Sequence, residues 1–276
     1  MYDWLTQLQP GQKVLDVCSG PGSFPGIEVA GLAIEMDEDV HAFVTAAAPS
    51  RGHVRLFARS DHLPLPDASI DLAVCHHALE HVIELDATLA EIARVLKPDG
   101  RLIVSVPNGF GLCDAVYRFV FEGGGHVNRF HRGELVKKVE KAVSVRLVEW
   151  TRLYSSFVYL WRLKQMLEDP PPDLSPRLMT IAKLPPKAIT VVQRLLYSGT
   201  RVADRWLGSE LALYGWAFYF DRAGGSAVET RAYVNVCRYC GVGHPAQSLD
   251  RPAPGKFRCA SCNGVNPYFA PFGNAE

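Results

Sequence analysis

The stretch VLDVCSGPGSFPGIEVAGLAIEMD, Val14 to Asp37, holds two apolar runs separated by a glycine-rich turn and closed by an acid. Val14, Leu15 and Val17 read as a buried strand. The turn from Asp16 through Cys18, Ser19, Gly20 and Pro21 to Gly22 lets the chain reverse sharply and lets backbone N–H groups approach a ligand closely. Leu32–Met36 reads as a second strand, and Asp37 at its end is placed for the two hydroxyls of a ribose. Pro25-Gly26 falls where the first helix should be well under way, so that helix is short or broken.

Outward from this stretch the alternation continues. Glu38–Ala48 suits a helix and Val54–Ala58 a third strand. The turn PDAS leads into Ile70–Cys75, a short apolar run that reads as a buried strand. Leu85, Leu89, Ile92, Ala93 and Leu96 share one helical face, which KPDG ends because Pro98 cannot continue a helix. Arg101–Val106 is another strand, Arg132–Ala142 a helix, and Val143–Trp150 a strand. This pattern predicts an α/β fold with parallel strands, helices on both faces, and a ligand beyond the carboxyl ends of the strands.

At 276 residues the chain can bury a large core with something small attached. Its net charge of zero sets up no global field toward nucleic acid or anionic membrane. The sign is uneven: residues 1–152 carry 15 Lys+Arg against 20 Asp+Glu, and residues 153–210 carry 8 against 5. No apolar run is long enough to span a bilayer, and the N-terminus has no basic segment followed by an apolar one. With Cys18, Cys75 and Cys113 as lone thiols, the expectation is a cytoplasmic protein.

VLDVCSGPG, IEMD, LPLPDASIDLAVCHHALEHV and EIARVLKPDGRLIVSVPN together resemble the class I S-adenosylmethionine-dependent methyltransferases. The similarity is to the small-molecule branch that includes ubiquinone and menaquinone methyltransferases. It covers Lys13 to about Trp150, with Tyr214–Asp221 as a last strand. It implies a Rossmann-like, mostly parallel seven-stranded sheet. By position it puts the methionine part of the cofactor on Asp16, Cys18, Gly20 and Gly22, the ribose on Asp37, and the adenine at Ser60 and Asp61. His76 and His77 would line the methyl-transfer side. Cys18 stands where the family's first glycine is usual, and Arg59 where an acid often meets the adenine. Only about a dozen residues precede the first strand, so the family's N-terminal helical cover is largely missing.

Methyl transfer needs alignment, and a base if the acceptor bears a proton. The Asn/Asp-Pro-Pro-aromatic motif of base amino-methylation is absent after the fourth strand, where CHHALEHV stands. This argues for a small-molecule or carrier-borne acceptor, and methylation at oxygen is the expectation. Candidate bases are His76, His77, His81, His126 and His131, of which His77, His81 and His126 are carried forward as catalytic candidates and His76 as a cofactor contact. His77-Ala-Leu-Glu80-His81 also matches a metal-associated Glu-x-x-Glu-His pattern with His at its head. Imidazole could ligate a metal, but packing of a helix is the favoured explanation.

Residues 153–210 interrupt the rhythm with aromatic and leucine-rich stretches, and form a helical insertion that would cap the substrate. Tyr154, Phe157, Tyr159, Trp161, Tyr197 and Trp206 suit an apolar acceptor, a plain core or a dimer surface, and the local positive charge leaves a peripheral membrane contact open. The expected domains are 1–222 for methyl transfer, insertion included, and 223–276 for a small ribbon. In the ribbon Cys237, Cys240, Cys259 and Cys262 have C-x2-C-x18-C-x2-C spacing, which reads as one structural zinc held by four thiolates. It could cap the structure, dock a protein or carrier, or touch RNA through Arg238, Arg251, Lys256 and Arg258. Two further readings stand beside the enzyme: a noncatalytic module of the same fold that docks a partner, and an RNA methyltransferase guided by the ribbon. With no net positive charge, nucleic acid is the less favoured partner.

Overall fold

Short apolar runs that end in turns build a parallel sheet. In the computed structural model the described residues are 4, 10–19, 32–37, 53–123, 125–160, 163, 176–222, 227–230 and 233–270. The chain divides into two compact units. The first comprises Met1–Pro107, Val127–Thr151 and Trp216–Thr230. The second comprises Asn108–His126, Arg152–Gly215 and Arg231–Glu276.

The sheet runs through β1 (Lys13–Val17), β2 (Leu32–Asp37), β3 (His53–Phe57), β4 (Ile70–His76), β5 (Leu96–Pro107), β6 (Arg146–Tyr154), β7 (Leu213–Asp221) and β8 (Val228–Glu229). Its order is β3-β2-β1-β4-β5-β7-β6-β8. β1 pairs in parallel with β2 and β4, β2 with β3, β4 with β5, and β6 with β8. Seven strands were expected, and the eighth is a two-residue addition at the edge. The order reverses between β1 and β4, which opens a crevice at their carboxyl ends.

The interior of the sheet is mostly apolar: Val14, Leu15, Val74, Leu102, Ile103 and Phe218 are wholly buried, and Asp16 and Ser105 are buried polar residues among them. Helix α1 (Leu85–Val95) adds Leu89, Ile92 and Val95. Truncating any of these leucines or isoleucines to alanine costs about 2–5 kcal/mol. KPDG does end α1, but it lies inside β5 as an irregularity: Ile70 pairs with Leu96 and Leu72 with Arg101. Gly100 is required there, because a Cβ would sit 2.8 Å from the carbonyl oxygen of Lys97. Trp4 packs on this unit, donating its indole N–H to a Glu149 carboxylate oxygen at 2.7 Å and lying 5.7 Å from the Tyr219 ring.

The second unit begins with α2 (Leu112–Val120), an element the glycines of NGFGL concealed. Helix α3 (Arg132–Val143) belongs to the first unit and packs against α1, with Lys138 on Asp86. The second unit continues with α4 (Pro176–Ala182) and α5 (Pro186–Leu207). Proline at its first turn starts α5, and Gly208 ends it in the left-handed conformation at φ 62°. The tail adds β9 (Asn235–Val236), β10 (Gly243–His244), β11 (Lys256–Arg258) and β12 (Val265–Pro267) as two antiparallel pairs.

The division between units differs from the boundary expected at residue 222. Residues of the insertion and of the cysteine-rich tail fall in one unit because they share a core. Cys113, Phe157, Leu160, Leu163, Ile189 and Tyr197 are buried together, and Phe269 from beyond the last strand packs on them. Phe157 and Tyr197 are therefore core residues, whereas Trp206 stands 79% exposed. No helix among the described residues is long and apolar enough to cross a membrane.

Candidate functional site

β1 delivers Asp16 to the crevice end of the sheet, fully buried, in register with Glu35 of β2 and Val74 of β4. Two residues on, Cys18 takes φ 53°. That is the left-handed region glycine favours, and an L-residue held there costs about 1–2 kcal/mol. The turn therefore keeps the backbone of a glycine turn although cysteine occupies the position. Ser19 is buried beside it. Asp37 closes β2 opposite Phe57. Gly20, Gly22, Pro25-Gly26 and the helix expected over 38–48 lie outside the described residues.

Past β3, Ser60 shares a hydrogen bond of 2.9 Å with the Thr88 hydroxyl. The Asp61 carboxylate is gripped by Arg59, whose Nε and Nη2 donate at 2.9 and 2.5 Å. These bonds hold the Asp61 carboxyl below its usual range. Arg59, which departs from the family pattern, thus has a local partner.

β4 ends in Cys75 and His76, and His77 follows it. Burial pushes the Cys75 thiol well up, so it stays protonated. His76 Nδ1 lies 2.6 Å from the Ser105 hydroxyl on β5, and burial carries its pKa well below the ordinary imidazole value, with His77 adding to the effect. It is neutral at physiological pH. His77 takes φ 50°, its N–H donates to the Ser105 carbonyl at 2.9 Å, and its Nδ1 lies 3.4 Å from a carboxylate oxygen of the buried Glu80. His77 to His81 is a turn and not a helix: His81 N–H closes onto the Ala78 carbonyl at 2.9 Å. Ala78, Leu79 and Val82 are buried, so the segment does pack, but His81 itself is exposed.

Two residues escaped sequence reasoning. Asn128 donates its side-chain amide to the carbonyls of Leu79 at 2.9 Å and Val82 at 2.5 Å, and fastens the turn that carries Glu80. Asp114 on α2 is wholly buried and takes hydrogen bonds from His126 Nδ1 at 2.8 Å and Arg118 Nε at 2.7 Å. Burial alone would raise the Asp114 carboxyl, but those two donors carry it below its usual value. His126 also stacks on Tyr117 at 4.9 Å. His126 thus belongs to the second unit, while His77 and His81 belong to the first. An acid three or four residues from a helical arginine was the one signal available for Asp114.

In the tail the four expected cysteines converge. Their Sγ atoms all lie within 4.8 Å of one another, with Cys237 to Cys262 at 3.5 Å and Cys240 to Cys259 at 3.6 Å. A tetrahedron of thiolates about 2.3 Å from zinc has edges of about 3.8 Å, so the donor set fits that ion. Two matching knuckles hold it: Gly241 N–H bonds the Cys237 carbonyl, and Asn263 N–H bonds the Cys259 carbonyl, each at 2.9 Å. Outside the sulfurs, Asn266 Nδ2 donates to Cys237 at 3.4 Å, and His244 Nε2 lies 3.2 Å from Cys259. Three of the four basic residues considered for RNA are engaged locally: Arg238 on the Tyr239 hydroxyl, Arg251 over the Tyr268 ring, and Arg258 on Asp250.

Helix α5 supports this site from below. Gln193 donates to the Arg238 carbonyl at 2.7 Å, the Tyr197 hydroxyl to the Val236 carbonyl at 2.8 Å, and Arg201 to the Val234 carbonyl at 3.2 Å. Arg201 is fully buried and also donates to the carbonyls of Tyr197 and Ser155.

Residues 15–104 match a family model described as a methyltransferase domain. Over 130 residues the chain is 32% identical to a malonyl-[acyl-carrier protein] O-methyltransferase of Methylococcus capsulatus, covering 44% of this chain and 47% of that protein. Over 126 residues it is 32% identical to a demethylmenaquinone methyltransferase of Deinococcus radiodurans, covering 40% and 50%. The chain thus spans about half the length of these relatives. Among solved structures, the YcgJ protein of Bacillus subtilis is similar with a TM-score of 0.52 at 15% identity, over 80% of this chain and 97% of that one. Likeness at that identity speaks to the fold alone.

Proposed function

We propose that this chain, whose residues 15–104 match a methyltransferase-domain family model, is a class I S-adenosylmethionine-dependent methyltransferase that methylates a small-molecule or carrier-borne acceptor at oxygen. The observation that carries the reading is Cys18 at φ 53° beside the buried Asp16, at the point where the strand order reverses. A left-handed cysteine is strained, and the turn keeps that strain where a cofactor needs backbone N–H groups. Bound S-adenosylmethionine supplies an electrophilic methyl group on a sulfonium. In this reading the turn from Asp16 through Cys18 to Gly20 and Gly22 takes its methionine part, Asp37 its ribose hydroxyls, and Ser60 with Asp61 flank its adenine. The domain of 15–104 is separate from the question of acceptor. Relatives are named for malonyl-carrier and quinone-type acceptors, and support only the breadth of the class.

The chain's own task is to align the acceptor and accept its proton. His77 has the arrangement for this, with Glu80 beside Nδ1 leaving Nε2 to take the proton. His126, oriented by Asp114, is the second candidate, and His81 the third. Zinc at Cys237, Cys240, Cys259 and Cys262 would be structural, since four thiolates leave no position for substrate. Free thiols elsewhere in the chain fit a cytoplasmic setting.

Radiolabelled methyl transfer tests the reading, with a malonyl carrier protein and a demethylmenaquinol as acceptors. Loss of a general base should lower the transfer rate about 10²–10⁴-fold while cofactor affinity holds. His77→Gln is expected to behave so. If His126→Gln does and His77→Gln does not, the base is reassigned. If the folded chain neither binds cofactor nor transfers methyl, the noncatalytic binding module stands instead.

A further inference from the structure

The outward face of α5 is apolar and carries charge of one sign. Val191, Leu195, Val202 and Trp206 recur at helical spacing along it, with Val192 and Leu207 beside them, and all are exposed. Leu195 is 67% and Trp206 79% exposed, so these are whole side chains in water and not edges of a core. The opposite face is occupied: Ile189, Gln193, Tyr197, Thr200, Arg201 and Asp204 are buried within the unit. One flank of the ridge bears Lys187, Arg194 and Arg205, all exposed.

Among the described residues, α5 itself carries no exposed acid. Between Leu174 and Ser209 the sequence has six Lys+Arg and a single acid, Asp204. That acid is buried, and its oxygens accept from Ser209 Oγ and from the N–H groups of Leu211 and Ala212. It serves the turn after the helix and does not offset the exposed cations. Just before α5, Lys183 and Leu184 continue the same composition on exposed residues.

We propose that α5 is a membrane-surface helix that lies flat on a bilayer containing anionic lipid. An apolar ridge with a basic flank enters the boundary between headgroups and chains, while the cations meet lipid phosphates. At 22 residues the helix offers a line of contact about 33 Å long. Its terminal Trp206 suits the headgroup level. Charge selects this occupant over the others. Two copies meeting ridge to ridge about a two-fold axis would bring basic flanks together with no carboxylate between them. Helical peptide partners are received by grooves, whereas this surface is a ridge. The inference stands apart from methyl transfer, because vesicle binding requires no cofactor.

Flotation of the full, metal-loaded chain with vesicles tests it. The chain should float with phosphatidylcholine vesicles containing phosphatidylglycerol, weakly with phosphatidylcholine alone, and less as salt rises. Each cation near an anionic surface contributes roughly five-fold, so Lys187→Gln/Arg194→Gln/Arg205→Gln together should weaken partitioning on the order of 100-fold. Leu195→Ser/Trp206→Ser should weaken it at least about ten-fold. All five positions are exposed, and unchanged circular dichroism and zinc content exclude misfolding. No flotation with anionic vesicles at low salt overturns the proposal, as does flotation of both variants equal to that of the unaltered chain. A stable dimer in light scattering that Leu195→Ser/Trp206→Ser breaks assigns the ridge to a second copy and overturns it too.

Discussion

The backbone N–H of Asn128 donates to the carbonyl oxygen of Glu80 at 3.0 Å, and the Asn128 side-chain amide donates to the carbonyls of Leu79 and Val82. One residue therefore holds the turn that places the buried carboxylate next to His77. Asn128→Ala keeps the backbone bond and strands two carbonyls. It should cost about 1–3 kcal/mol in urea unfolding. Methyl transfer should fall further than cofactor affinity, since the turn carries the acid–imidazole pair and not the glycine turn. Equal losses in both would assign Asn128 to stability alone.

Arg201 joins α5 to the strand that enters the cysteine site, with its guanidinium 4.0 Å over the Tyr197 ring. Among the described residues its hydrogen-bond acceptors are three backbone carbonyls and no carboxylate. Burial lowers its pKa from the ordinary guanidinium value, but a guanidinium remains charged. Arg201→Ala leaves those carbonyls unsatisfied and opens a cavity, a loss of about 3 kcal/mol or more. Metal should then pass faster to a colorimetric chelator. Unchanged release would show that the helix and the metal site are independent.

Cys259→Ser removes one of two buried thiols of the metal site. Elemental analysis should fall from one zinc per chain to far below it. Because Phe269 packs on the core of the insertion, hydrogen exchange should quicken in α5 as well as beyond Tyr233. Protection confined to its wild-type level in α5 would contradict the shared core.

Acid should weaken the second unit through Asp114. Its folded-state pKa lies below the ordinary value, so the unfolded chain binds more protons in that window. The contribution is present above about pH 4, the unfolded carboxylate value, and is lost as pH falls toward the folded one. Asp114→Asn should flatten this part of the stability–pH curve. A curve of unchanged slope would remove Asp114 from the account.

Much of the first unit was legible because its strands are short, apolar and closed by turns. The first strand was read from Val14, Leu15 and Val17 inside Lys13–Val17, and Ile70–Cys75 and Leu32–Met36 were read to within one residue. The four cysteines were legible from spacing alone. Helix α2 was not, because Gly109 and Gly111 just before it read as a loop and mask the apolar repeat at Leu112, Val116 and Val120. Nor was the partnership of α5 with the tail. It rests on Gln193, Tyr197 and Arg201 bonding backbone carbonyls some 33 to 45 residues away, and carbonyl acceptors leave no mark in a sequence. The turn at Glu80 was hidden likewise, since its clamp, Asn128, lies 46 to 49 residues on.

Calorimetry with S-adenosylhomocysteine tests the central claim most directly. The full chain is titrated beside its Asp37→Ala variant, with zinc content and circular dichroism matched. The account predicts saturable binding at micromolar concentration, abolished in the variant because the ribose hydroxyls lose their acceptor. No heat at millimolar ligand from a folded, zinc-loaded chain would contradict it.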